Sequence, residues 1–352
     1  MDKYVVPSPV TINIETTLRC NLLCKMCGRV NVNPRQYAHA DMDMETFNRI
    51  TPLMENAKTI WLSGFGEPLL HKELAAMVQL AKKSSKSAEV PFTTNAMLLS
   101  AQKAEELIDA GLDKMQVSID GTTKWGHVGG GADMSKVIAN LKRLKELKAE
   151  KGVAYPEVIM GFVAMKDNLH ELLDVLDIAR EVDVKFITVQ PLRPGSEEMR
   201  NQNIYRHPKY ARKMIDKARK KAESLGITIE AQFMDFEMSD KRRDCGFPSE
   251  FLHVSLDGSV YMCCGGMPTF QNVKDTPVCD IWNSEIYLKL RQSLDTGDYP
   301  VKCLNCSIMY NTIENQERDI IKHLTLLEKI RKKGFLGSIK SAIALTRRRF
   351  GF

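Results

Sequence analysis

The sequence predicts an α/β protein built on a parallel sheet, and three observations point to it. Short apolar, β-rich runs alternate six times with amphipathic helical patterns. The chain has 352 residues and 43% hydrophobic content, enough to bury a sizeable core. Beyond about residue 236 the pattern changes to Cys, Gly and Pro with short strands, the mark of a second, smaller module.

The six strands read as residues 10–15, 59–63, 90–94, 114–119, 157–163 and 185–190, each a short apolar run bounded by polar or turn residues. Helices lie between them. Leu74, Met77, Val78 and Ala81 recur at helical spacing, as do Val137, Leu141, Leu144 and Leu147, and then Leu172, Leu173, Leu176 and Ala179. A further helix covers 209–225 and stops at Gly226. Right-handed crossovers around such a sheet give either an open doubly wound sheet or a partial barrel, and periodicity does not choose between them. In both, ligands meet the carboxyl ends of the strands, so the residues that follow each strand are the candidates for chemistry.

Composition excludes several classes. No apolar run reaches the roughly 18 to 20 residues of a bilayer span, and the first residues lack a basic flank followed by an apolar signal segment, so a cytoplasmic location is expected. The net charge of +6 is concentrated at the end: from Arg318 onward ten Lys and Arg stand against two acids, leaving the body slightly acidic and no candidate for nucleic-acid binding. Nine cysteines are too few for a disulfide scaffold and cannot all pair. Cys20, Cys24 and Cys27 stand together, and the other six begin at Cys245, which suggests two separate metal sites.

The first group, Cys20-Asn-Leu-Leu-Cys24-Lys-Met-Cys27, lies on the loop after the first strand. Three thiolates there suit an iron-sulfur cluster that keeps one iron open for a small molecule. A zinc knuckle completed by His39, or three unrelated core cysteines, are the plainer alternatives. The run resembles the cluster loop of the radical S-adenosylmethionine (SAM) superfamily, with Met26 at a position that is usually aromatic there. The resemblance extends to later strand ends. Ser63-Gly64-Phe65-Gly66-Glu67-Pro68 is similar to the turn that holds the SAM amino group, with glycines allowing close backbone approach and Glu67 offering negative charge. Thr94-Asn95-Ala96 and Ser118-Ile119-Asp120 resemble two further segments, which makes Asn95, Ser118 and Asp120 candidates for SAM contacts, with Ser118 and Asp120 at its ribose or carboxylate. Met26 and Leu192 are candidates for packing on adenine. For Asp120-Gly121, plain turn chemistry is the alternative. The match covers roughly residues 10–195 and implies a partial (βα)6 TIM-like barrel. It also implies reductive cleavage of SAM to methionine and a 5′-deoxyadenosyl radical, which removes a hydrogen atom from an unactivated C–H bond, with electrons from a flavodoxin- or ferredoxin-type donor.

In the second group, Cys245 and Cys263 flank a β-hairpin with Asp257-Gly258 at its turn, Ile281-Trp282-Asn283-Ser284 precedes a helix, and Cys303-Leu-Asn-Cys306 follows. This resembles the auxiliary-cluster modules called SPASM and Twitch. The resemblance implies that Cys245, Cys263, Cys303 and Cys306 hold one auxiliary [4Fe-4S] cluster, the second in the chain. The shorter Twitch form fits better, with the Cys245 to Cys263 separation similar to that of the butirosin-pathway inosamine dehydrogenase. Zinc on the same four thiols is the alternative. Cys264 and Cys279 read as small buried side chains; a free thiol at Cys264, beside a ligand, could instead return a hydrogen atom to a substrate.

The expected organisation is therefore a barrel over 1–235, an auxiliary module over 236–316 and a basic amphipathic tail over 317–352, the last a candidate for peripheral membrane contact or for packing on the barrel. The expected function is that of a dehydrogenase-type radical SAM oxidoreductase acting on a sugar-like molecule, another metabolite or a peptide, with the auxiliary cluster as electron acceptor. The short segment before the first strand favours a carbohydrate or metabolite. The alternatives are a redox-neutral epimerase, decarboxylase or dehydratase, and a zinc-stabilised binding protein without catalysis.

Overall fold

The computed structural model describes residues 3–31, 41–85, 87–123, 130–194, 197–231, 244–304 and 306. The basic tail, His39 and both expected module boundaries lie outside the described residues.

All six expected strands form, as β1 (Thr11–Ile14), β2 (Thr59–Trp61), β3 (Pro91–Thr94), β4 (Lys114–Ser118), β5 (Glu157–Ala164) and β6 (Phe186–Pro191). Helices α1 (Leu74–Ser84), α2 (Ala101–Asp109), α3 (Met134–Lys151), α4 (Leu172–Glu181) and α5 (Pro208–Leu225) separate them or follow the last. Local chemistry sets their ends. Ser100 and Asp133 cap α2 and α3 by accepting from Lys103 and Lys136 backbone N–H groups, and Gly152 and Gly226 close α3 and α5 in the left-handed region, both at φ 65°.

The strands alternate in burial, and this alternation shapes the molecule. Ile12, Ile14, Ile60, Leu62, Met115, Val117, Ile187 and Val189 are sealed in one core with the apolar stripes of the helices. Each such side chain contributes roughly 1.5–3 kcal/mol by leaving water. The opposite, half-buried face carries Asn13, Ser63, Thr93, Gln116, Ser118 and Thr188. A sheet apolar on its helix-covered side and polar on its inner side is a partial barrel with a wet interior rather than a doubly wound sheet.

Two features go beyond the expected six strands. The first is β7 (Thr228–Glu230), which pairs parallel to β6; its three residues are too short a run to stand out by periodicity. The second concerns the C-terminal hairpin, β8 (Phe251–Val254) and β9 (Ser259–Tyr261), which turns at Asp257-Gly258 with Gly258 at φ 89°. Strand β8 pairs parallel to β1, from Thr11 opposite Phe251 to Ile14 opposite Val254. With β10 (Pro268–Asn272) outside β9, and β2 joined to β3 by Ile60 N–H to Glu89 O and Leu62 N–H to Pro91 O, both 2.9 Å, the sheet runs β10-β9-β8-β1-β2-β3-β4-β5-β6-β7. The auxiliary module is thus grafted onto the barrel edge.

A side-chain staple reinforces the graft. Trp282 ends the short helix α6 (Val278–Trp282), and Trp282 and Asn283 both donate to the Val6 carbonyl at 2.9 and 3.0 Å, while Asn283 Oδ1 accepts from Val6 N–H. Behind them Arg291, on helix α7 (Glu285–Thr296), is 4% exposed. It donates to the Pro248, Tyr4 and Trp282 carbonyls and to Asn283 Oδ1, with its guanidinium stacked 4.5 Å from the Trp282 ring. This gives the Ile281-Trp282-Asn283 sequence a physical role: it clamps the N-terminal segment to the module.

Arg291→Met should therefore take the guanidinium donor from the buried Pro248 and Trp282 carbonyls and lower stability by about 3 kcal/mol. Denaturant melts of the anaerobically purified protein measure this, and a loss under about 1 kcal/mol would show that the staple is not needed.

Candidate active site

The cysteine loop leaves β1 at the carboxyl end of the barrel and is held by a small polar lattice. Arg19 forms a bidentate pair with Asp41 at 2.9 and 2.5 Å and also donates to the Leu70 carbonyl, while Thr17 donates to the same Asp41 at 2.6 Å. Within the loop, Cys27 N–H donates to Cys24 O at 3.1 Å and Leu22 N–H approaches Cys20 Sγ at 3.4 Å. Burial, then the neighbouring Cys27, Asp120 and Cys20, push the Cys24 thiol up to about 12. Crowded, desolvated thiols of this kind ionise only against a strongly cationic partner, which is what an iron-sulfur cluster offers.

The turn after β2 is pressed against this loop. A Cβ at Gly66 would lie 2.2 Å from the Thr17 carbonyl oxygen and 2.7 Å from that of Arg19, and one at Gly64 would lie 2.3 Å from Glu15 Cγ. Pro68 follows as the first residue of a short 3-10 turn. Glu67 N–H donates to the Arg19 carbonyl at 2.7 Å. The Glu67 carboxylate, 2% exposed, accepts from Thr94 Oγ1 at 2.6 Å, Asn95 N–H at 2.8 Å and Leu69 N–H at 3.2 Å. Its place in the structure is that of a strut between two strand ends, with three of its acceptor positions committed to the protein. Burial pushes it above the ordinary carboxylate range against those three donors.

The remaining candidates sit around the same mouth. Asn95 donates to Asn21 Oδ1 in the cysteine loop at 2.9 Å. Ser118 ends β4 opposite Gly161. Asp120 is fully buried and accepts from Val163 N–H at 2.7 Å, and burial raises it to about 7. Gly121 next to it packs against Glu171, which accepts from the Thr122 and Thr123 N–H groups at 2.6 and 2.9 Å. Met26 packs with Leu192 in one apolar cluster that also holds Val163, Met165 and Met199. Met26 from the loop and Leu192 from the end of β6 are therefore brought together across the barrel mouth.

In the auxiliary module Cys245, Cys263, Cys303 and Cys306 line one hollow, with Phe247, Pro248, Met267 and Leu290 around them. Burial, then the three partner thiols, push Cys303 up to about 12. Among the described residues no three Cys, His, Asp or Glu side chains converge as a single metal ion requires, and the four thiols share one hollow. Cys264 and Cys279, expected to be buried, are both exposed. Cys264 sits in the loop that Met262 N–H closes onto Met267 O at 2.8 Å, and Cys279 lies in the first turn of α6, whose buried residues are Val278, Ile281 and Trp282.

The sequence reading passed over several polar residues of the inner face. Asn13 Nδ2 lies 3.1 Å from the Ser63 carbonyl oxygen and 2.8 Å from His253 Nδ1. A carbonyl can only accept, so the amide nitrogen faces it, and His253 Nδ1 then also accepts, which places the imidazole proton on Nε2. Burial holds this ring down to about 4, neutral at physiological pH. Glu15, one turn of chain before the cysteines, is likewise buried, at 5% exposure. The only local signal was parity: Asn13 and Glu15 alternate with Ile12 and Ile14.

Residues 14–179 match the radical SAM superfamily, and residues 245–307 match SPASM, an iron-sulfur cluster-binding domain. The chain is 26% identical over 321 residues, 84% of this chain and 86% of the relative, to the tungsten-containing aldehyde ferredoxin oxidoreductase cofactor-modifying protein of Pyrococcus furiosus. It is 24% identical over 333 residues, 89% of this chain and 85% of the relative, to the PqqA peptide cyclase of Gluconobacter oxydans. In fold it is similar to Streptococcus suis SuiB bound to precursor peptide SuiA, with a TM-score of 0.62 at 15% identity over 89% of this chain and 72% of that one. It is also similar to anSMEcpe with bound AdoMet, with a TM-score of 0.59 at 16% identity over 90% and 98% of the two chains.

Two outcomes test the geometry. Gly66→Ala should weaken SAM binding by at least roughly tenfold in calorimetry, because its methyl meets backbone atoms that cannot move aside; wild-type affinity would mean that this turn does not hold SAM. In a proton NMR titration the His253 signal, identified by its loss in His253→Gln, should change only near pH 4, and a midpoint near the ordinary 6.5 would contradict the burial of the ring.

Proposed function

Because this chain belongs to the radical SAM superfamily and carries a SPASM iron-sulfur module, we propose that it is a two-cluster oxidoreductase that oxidises a C–H or alcohol carbon of a sugar-like metabolite or a peptide. Cys20, Cys24 and Cys27 would hold the [4Fe-4S] cluster, whose chemistry, with SAM bound, is reductive cleavage of SAM and hydrogen-atom abstraction from the substrate. Cys245, Cys263, Cys303 and Cys306 would hold a second cluster suited to accepting one electron, because the protein supplies all of its outer ligands.

The hollow lined by these four thiols is the observation that carries the oxidative reading. A fully ligated centre has no position for a substrate, so electron acceptance is the chemistry left to it. Around the barrel mouth the chain's own groups have separable tasks. Gly64 and Gly66 let the turn close on Glu15 and on the Thr17 and Arg19 carbonyls, Met26 and Leu192 would offer an apolar surface to adenine, and Ser118 and Asn95 would meet polar parts of SAM at the strand ends. Asp120 fixes the end of β5 through Val163. His253 offers an Nε2–H donor to a substrate oxygen on the inner face. The substrate classes follow the relatives, which include a peptide cyclase and a cofactor-modifying protein. A flavodoxin- or ferredoxin-type protein would supply the electron.

The exposure of Cys264 beside Cys263 supports a second reading, a redox-neutral reaction in which a thiol returns a hydrogen atom to the substrate radical. Solvent deuterium in the product and a product at the oxidation level of its substrate would select it.

Anaerobically purified protein should contain about eight iron and eight sulfide per chain. It should form 5′-deoxyadenosine when reduced with SAM, and Cys20→Ala should abolish that product. Zinc in place of iron, or an unaffected Cys20→Ala variant, would end the enzyme reading.

A further inference from the structure

We propose that Glu15 is a positioning residue that joins the auxiliary module to the SAM-binding turn, so that Ser255 of the C-terminal hairpin sets how well that turn holds SAM. The inference rests on the reading of residues 64–68 as the SAM turn.

Glu15 stands at the end of β1, where three parts of the chain meet. Its Oε1 accepts from Phe65 N–H at 3.1 Å, in the middle of the turn. Its Oε2 accepts from Ser255 Oγ at 2.8 Å, in the hairpin. The Leu256 backbone N–H donates to it as well. Its own N–H donates to the Val254 carbonyl at 2.9 Å, continuing the pairing of β1 with β8. The side-chain stem is wedged beneath the turn: a Cβ at Gly64 would fall 2.3 Å from Glu15 Cγ and 2.5 Å from Oε1.

A buried carboxylate with donors on both sides is a coupler by its physics. Its two oxygens are one rigid unit, and each buried partner lost costs roughly 1–3 kcal/mol. A shift of the hairpin therefore either breaks the Ser255 bond or drags the carboxylate, and a dragged carboxylate takes Phe65 N–H with it. The displacement has a short route to the chemistry. Glu67, two residues on, donates its N–H to Arg19 O immediately before Cys20, and its carboxylate holds Asn95, which bonds the cysteine loop through Asn21. Neither Glu15 nor Ser255 is among the residues expected to touch SAM, and they are 240 residues apart in the chain.

The test uses the full chain reconstituted with iron and sulfide. Ser255→Ala should keep wild-type iron content and melt within a few degrees of wild type while its SAM dissociation constant, measured by calorimetry, rises about fivefold to tenfold. The change that SAM produces in the electron paramagnetic resonance spectrum of the reduced protein should require correspondingly more SAM. Ser255→Thr, which keeps the hydroxyl, should return the affinity to within about twofold of wild type. Unchanged SAM affinity in Ser255→Ala overturns the proposal. So does a loss of affinity that Ser255→Thr does not restore, or one that comes with lost iron, because either marks a merely structural serine. Gly66→Ala, run in parallel, reports on the underlying reading: normal SAM binding in that variant refutes the SAM turn itself, independently of the serine result.

Discussion

Parallel pairing of β8 with β1 is the constraint on which the arrangement depends. Four residues in register, Thr11 to Ile14 against Phe251 to Val254, fix the hairpin that carries Cys263 relative to the strand that leads into Cys20. Backbone pairing tolerates little error, because a one-residue slip would turn Ile12 and Ile14 out of the core and Asn13 into it. The same register sets Asn13 opposite His253, and the two strands then run on to Glu15 and Ser255, which meet through their side chains. The Trp282, Asn283 and Arg291 staple holds the remainder of the module against the N-terminal segment, so both thiol groups belong to one continuous framework.

At the barrel mouth the charged residues are mainly struts. Arg19 with Asp41 anchors the cysteine loop from outside, and Glu67, Glu171 and Glu15 each receive several backbone or hydroxyl donors from neighbouring strand ends. Carboxylates suit this work because one rigid acceptor group satisfies donors from two or three segments at once. Of these, Glu67 alone reads as a ligand contact along the chain, since the ends of barrel strands are where both ligands and struts are found.

Family membership and geometry constrain different parts of the chemistry. Membership brings SAM, iron-sulfur clusters and the radical step, which belong to the cofactors and not to any one side chain. On the inner face of the sheet the half-buried side chains are largely neutral hydrogen-bonding groups, with His253 neutral and its proton fixed on Nε2. The two relatives carry different printed activities, a cofactor-modifying protein and a peptide cyclase, at similar identity to this chain.

The sequence alone determined the six barrel strands to within two residues at each end, the helices and their glycine stops, the hairpin turn and both cysteine groups. These are local facts: side-chain alternation, three- and four-residue recurrence, turn residues and ligand spacing all act within a few neighbours. The tertiary structure alone decided that β8 completes the sheet beside β1, that β7 exists, that Glu67 is enclosed by donors, that Cys264 and Cys279 are exposed residues, and that Asn13 meets His253 and Glu15 meets Ser255. Each of these depends on which distant segments share a face. A pairing across 240 residues leaves no periodic trace in either partner, because it is selected by the total burial of the assembled sheet and not by the preference of any short stretch of chain.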